Sequence, residues 1–177
     1  MQENKLTDQK VTTNANSTQI IGRDDLLRHW QGHRSLTRRV IEAFPADKLF
    51  NYSIGGMRPF AELALEMIRI AAPGARGIAT GEWNAFGEIM DDSVTTSPET
   101  KEELLELWDW STGQINTYWS QIPEGRFQES DVAFGQYEGK TWWHLFYFID
   151  NEIHHRGQGY VYLRSLGIEP PYFWERG

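Results

Sequence analysis

Four stretches of this chain repeat apolar side chains at steps of three and four residues, and each ends at proline or glycine. That period gathers the apolar groups on one face of an α-helix, so four such segments must bury their stripes against one another. The first carries Leu26, Leu27, Trp30, Leu36, Val40, Ile41 and Phe44; Asp24 or Asp25 can cap it, and Pro45 closes it. The second is expected to start near Arg58-Pro59, where proline's missing N–H costs nothing. It runs through Phe60, Leu63, Ala64, Met67, Ile68 and Ile70, and Pro73-Gly74 is expected to stop it. The third opens at Ser97-Pro98-Glu99-Thr100, with acidic residues suited to a helix N-terminus, and ends at Pro123-Glu124-Gly125. The fourth is capped by Thr141 and extends from Trp142 to about Leu166, ahead of Gly167 and Pro170-Pro171.

No strand-helix alternation and no glycine-rich phosphate loop accompanies these segments, so the expected fold is all-α, a four-helix bundle. Residues 1–22 are polar with no sustained apolar period and are expected to form a flexible N-terminal tail; residues 23–177 make up the bundle domain. Between the second and third helices the connection from Gly74 to Pro98 is long, and Glu82-Trp83-Asn84-Ala85-Phe86 is expected to fold over the end of the bundle. Residues 124–140 are expected to form a small hairpin or extended flap.

Composition removes several functional classes. The formal charge of -8, with no cluster of Lys and Arg to offset it, argues against a nucleic-acid partner. The absence of cysteine excludes disulfides, thiolate metal sites and a cysteine nucleophile, and fits a reducing compartment. No secretory leader pattern and no apolar run near the ~20 residues of a membrane span is visible. The expectation is a soluble, cytoplasmic protein with no membrane partner.

Chemically versatile side chains concentrate in Asp150-Asn151-Glu152-Ile153-His154-His155-Arg156-Gly157-Gln158-Gly159. A step of about 100° per residue puts Phe148, Asn151, His155 and Tyr162 within about 40° of His144, whereas His154 falls roughly 80° away. This face carries either a metal or catalytic site in the bundle core or a polar network satisfying itself. His29 and His33 form the one His-x-x-x-His pair, but Arg28, Arg34, Arg38 and Arg39 around it oppose a cation; an exposed or boundary pair is expected, with His33 free to face inward. Glu62 and Glu66 lie one turn apart on the second helix. Arg58 is the candidate partner of Glu62, which leaves Glu66 as the freer ligand or general base. No Ser-His-Asp arrangement is present. Trp83, Phe86, Trp142, Trp143 and Trp174 could line a pocket or a dimer interface.

The run from Asn151 to Gln158, followed by Tyr162-Leu163-Arg164 and by Leu166 to Pro171, resembles the C-terminal signature of the DinB/YfiT-like proteins. Gly56 to Leu63 resembles the start of that family's second helix, so the likeness spans about residues 24–175. The resemblance implies a four-helix bundle, often dimeric, with a divalent metal held by one histidine of the second helix and a His-x-x-x-His pair of the fourth. It implies metal-dependent hydrolases or transferases of low-molecular-weight thiols. In this chain the helix-two position falls on Glu66 and the first of the pair on Asn151; His155 alone matches. The expected metal ligands are therefore Glu66, Asn151 and His155, with His144, Glu152 and His154 as supporting groups, and catalytic residues stay unassigned. A Glu/Asn/His set leans towards harder ions among Zn, Ni and Mn, or has lost its metal. The expected partners are a second copy of the chain, as a homodimer, and a small-molecule substrate. The alternative is a non-enzymatic dimeric bundle or a small-ligand-binding protein.

Overall fold

The computed structural model describes residues 20–90 and 94–176. Residues 1–19 of the expected tail lie outside the described residues. Four long helices form the body: α1 (Arg23–Ala43), α3 (Phe60–Thr80), α5 (Lys101–Trp119) and α6 (Thr141–Ser165). Two single turns, α2 (Ala46–Leu49) and α4 (Phe86–Ile89), lie in the connections, and a 3-10 turn at Arg126–Gln128 leads into a hairpin of β1 (Ser130–Ala133) and β2 (Tyr137–Lys140). The hairpin is antiparallel, with Ser130 opposite Lys140 and Ala133 opposite Tyr137. The expected bundle and hairpin are both present.

Each of α1 and α3 packs on α5 and α6, while α1 and α3 touch little. The cross-section is therefore a square with α1 and α3 on one diagonal. Connections after α1 and after α5 cross the bundle end, from one corner of the square to the opposite one. Among the described residues no helix is long and apolar enough to cross a membrane.

Three local expectations need correcting. Gly22, not Asp24 or Asp25, is the N-cap of α1; the Asp25 carboxylate accepts from the Gly22 N–H at 3.1 Å, closing the turn from the other side. Lys140 is the N-cap of α6, and the Thr141 hydroxyl instead donates to the carbonyl of Arg126. Pro73-Gly74 does not stop α3, which runs on to Thr80. Its final turns are buried at Ala71, Ala72, Ala75, Ile78 and Ala79, so tertiary packing outweighs the backbone hydrogen bond that proline removes. The stop is Gly81, left-handed at φ 78°, whose N–H returns to the Gly77 carbonyl at 2.9 Å. Arg126 completes the cap by donating to the Ile78 carbonyl at 2.8 Å.

The apolar core falls into two lobes. One gathers Val40, Phe44, Phe60, Met67, Leu107 and Tyr162; the other gathers Trp30, Ile78, Ile115, Trp119, Leu145 and Phe148. Between them α1 and α6 contribute buried His33, Arg34, Thr37, Glu152 and Arg156. Two glycines bring α3 and α6 close. A Cβ on Gly159 would meet the Phe60 ring at 2.4 Å, and one on Gly74 would meet the Phe148 ring at 2.3 Å. Each helix thus seats an aromatic ring of the other, and the functional candidates lie between these two contacts.

Candidate functional site

Midway along the α3–α6 seam, Glu66 meets Asn151 and His155. The two α6 residues are one turn apart and therefore share a face. The Glu66 Oε1 accepts from Asn151 Nδ2 at 3.1 Å and lies 2.8 Å from His155 Nε2. Its Oε2 accepts from the Arg58 guanidinium at 2.5 Å. Arg58 therefore does not serve Glu62, which is exposed; it stands ahead of the helix and reaches forward past its first turn to Glu66. The Tyr162 hydroxyl fixes that backbone by donating to the Arg58 carbonyl at 2.7 Å.

Electrostatics follow from this ring of donors. Burial alone would raise the Glu66 carboxyl, but hydrogen bonds from Arg58, Asn151 and His155 outweigh it and hold the group at about 2. Glu66 is a carboxylate at any physiological pH. His155 is nearly enclosed, its side chain 8% exposed against 34% for Glu66, so solvent reaches the centre from the carboxylate side. The His155 Nδ1 lies 2.8 Å from Gln158 Oε1. Both ring nitrogens thus face acceptors. A neutral imidazole has one N–H to give, and a proton or a cation at the other nitrogen completes the set.

The Asn151 Oδ1 is buried and without a partner among the described residues. An orphaned amide oxygen beside a carboxylate is an acceptor waiting for a donor or a cation. Carboxylate oxygen, amide oxygen and imidazole nitrogen together suit a hard divalent ion better than three imidazoles would. Opposing it, the Arg58 guanidinium already neutralises one carboxylate oxygen. Among the described residues no group of three or more His, Asp or Glu side chains is disposed to hold a metal ion.

The other sequence candidates are placed elsewhere. His154 is exposed, with its ring centre 5.0 Å from that of His155. His144 is buried at the hairpin end, 3.4 Å from the Asp131 carbonyl and edge-on to Trp83. Glu152 turns to α1, where its Oε1 accepts from the Thr37 hydroxyl at 2.6 Å. The expectation that His144 and Glu152 support the Glu66 centre is thereby corrected: residue 152 is rotated about 100° from Asn151, and His144 is two turns away. His33 is buried rather than exposed, between Arg156 and Arg176 at 3.0 Å each. Burial first, then Arg156, pushes its imidazole down to about 3 and leaves it neutral, while a guanidinium at each ring nitrogen keeps a cation away. Sequence reasoning missed Gln158 as the partner of His155; its i+3 spacing was the available signal.

A family model, the DinB family, matches residues 11–176. The chain belongs to the DinB family. Solved structures agree on the fold. A DinB-like protein from Bacillus subtilis superposes with a TM-score of 0.69 at 20% identity, covering 85% of this chain and 99% of that one. A second DinB-like protein, from Bacillus cereus, gives 0.66 at 15% identity, covering 85% and 97%. A histidine-to-alanine mutant of a mycothiol-dependent maleylpyruvate isomerase gives 0.54 at 15% identity, covering 77% of this chain and 60% of that protein. No curated protein sequence matches.

Proposed function

We propose that this DinB-family bundle takes one divalent cation, of the Mn kind in preference to Zn or Ni, at Glu66, Asn151 and His155. We further propose that it acts as a hydrolase or as a transferase of a low-molecular-weight thiol. The observation that carries the reading is the buried, unpartnered Oδ1 of Asn151, whose Nδ2 meets the same Glu66 Oε1 that faces His155 Nε2. The fold likeness to a mycothiol-dependent isomerase supports thiol chemistry. A cation bound there supplies Lewis acidity for polarising an electrophile.

The chain's own residues do the rest. Gln158 Oε1 keeps the proton on His155 Nδ1 and so presents Nε2 to the centre, the usual way a ligating imidazole is oriented. Glu66 stays ionised and supplies negative charge and a proton acceptor. Arg58 holds Oε2 and leaves Oε1 for the centre. Near-complete burial of His155 keeps water from its inner side.

A second reading is favoured by the Arg58 contact. With that guanidinium in place Glu66 and His155 form a hydrogen-bonded pair needing no metal, as a small-ligand-binding bundle would have. Calorimetric titration of Mn, Zn and Ni into wild type and His155→Ala separates the two. Saturable Mn heat in wild type, weakened at least about tenfold by loss of the imidazole, is expected on the cation reading. Equal, negligible heats in both proteins with all three ions would leave the metal-free pair.

A further inference from the structure

The α3–α6 groove continues past the polar centre. One turn along each helix, Ile70 follows Glu66 and Tyr147 precedes Asn151, and both line a cavity of about 270 Å³ bounded by the hairpin. Ile70 also borders the depression of about 370 Å³ lined by Glu66 and Arg58, so that side chain is a wall common to both spaces. The cavity walls are rings: Phe134 and Tyr137 from the hairpin, His144, Tyr147 and Phe148 from α6. None of its lining residues is Asp, Glu, Lys or Arg.

We infer that this cavity recognises the planar, uncharged aromatic group of a small molecule, of one or two fused rings bearing a hydroxyl or carbonyl, whose other end lies toward Glu66, Asn151 and His155. Size supports two rings, because an apolar cavity of about 150 Å³ already admits benzene. Aromatic walls supply edges and faces for a flat guest. Phe134 adopts φ 53°, a left-handed conformation next to Gly135 at φ 69°, in a turn where Asn or Gly would sit without strain. What the strained residue brings is a ring against the cavity, near Trp83 at 5.5 Å and Phe148 at 6.5 Å. The wall also offers one buried hydrogen-bonding group. His144 Nε2 is 3.4 Å from the Asp131 carbonyl, too far for a strong bond, and so retains capacity for a ligand hydroxyl or carbonyl. The inference rests on the proposed centre only for which end of the guest reacts; binding of the ring needs no cation.

Titration of 2-naphthol into the full chain, by calorimetry and amide NMR shifts, tests it. Saturable one-to-one binding is expected, with n-hexanol at least about tenfold weaker. Tyr147→Ala, at an exposed position, should weaken 2-naphthol about fivefold, the scale of one aromatic contact. Ile70→Trp should fill the space and abolish binding. No saturable binding at millimolar 2-naphthol, or wild-type affinity in both Tyr147→Ala and Ile70→Trp with native circular dichroism, overturns the inference. Equal affinity for n-hexanol overturns the aromatic class. A missing Mn heat with intact 2-naphthol binding counts against the cation reading and leaves this one standing.

Discussion

Helix α6 presents a carboxylate cluster on each of two sides, and the two are built to different ends. Toward α1, Glu152 is 1% exposed, and both its oxygens are engaged, by Thr37 at 2.6 Å and by Arg34 at 3.4 Å. Two guanidiniums face this one carboxylate. The excess positive charge is absorbed by the Trp108 ring, 3.4 Å from the Arg34 guanidinium carbon, by the Trp108 carbonyl, and by neutral His33 under Arg156. Toward α3, Glu66 is a third exposed and Asn151 keeps an unused acceptor. A single residue step along α6, from 151 to 152 and from 155 to 156, separates the two sides. Closure makes the first a structural tie between helices, and incompleteness makes the second a place where something can bind.

The largest expected effect tests that division on its closed side. Glu152→Ala leaves Arg34 and Arg156 buried without their carboxylate, and a loss of about 3–5 kcal/mol in urea unfolding is expected. A loss below about 1 kcal/mol would mean that the two guanidiniums find other acceptors and that the cluster is no tie.

Acidity distinguishes the two sides next. His33 is held down to about 3 from an ordinary 6.5, mainly by burial and then by Arg156, so the unfolded chain binds its proton first. Its contribution is complete above 6.5 and is lost as pH falls from 6.5 towards 3. Glu66 is held at about 2 from 4.5; burial opposes this, and the bonds from Arg58, Asn151 and His155 prevail. Its contribution is complete above 4.5 and is lost as pH falls through 2. Melting temperatures across pH 3 to 7 should therefore flatten above pH 4.5 in His33→Asn but not in Glu66→Gln. The same slope in both variants and wild type would erase the distinction.

The helices were legible because the apolar period marks four long segments, and residues 124–140 were legible as a hairpin or flap because Phe127, Val132, Phe134 and Tyr137 sit among Gly and Asp. Pro73 was misread because its burial among alanines, which carries α3 onward, is a tertiary fact. At the α3–α6 centre, the 100° helical step separated Asn151 and His155 from His154, and likeness to the family supplied Glu66 across the seam. Arg58 was assigned to Glu62 because i+4 spacing holds only inside a helix, and Arg58 stands before one. The Arg34–Glu152 cluster stayed hidden for a related reason. Arginines at 34, 38 and 39 look alike in a sequence, yet Arg34 is wholly buried while Arg38 pairs with Asp109 at the surface.

The smallest expected effect lies on the open side, and its smallness is the point. Asn151→Leu removes one donor from Glu66, which keeps Arg58 and His155, and it also removes the orphaned Oδ1. The lost hydrogen bond and the relieved buried acceptor are of similar size, about 1 kcal/mol each, and act in opposite directions. Stability in urea should therefore change by less than about 0.5 kcal/mol, with a gain as acceptable as a loss. Mn heat, if the cation reading holds, should fall at least about tenfold in the same protein, because a ligand has gone while the fold has not. A cost above about 2 kcal/mol would show that Asn151 is held as tightly as Glu152 is. Both sides of α6 would then be structural ties.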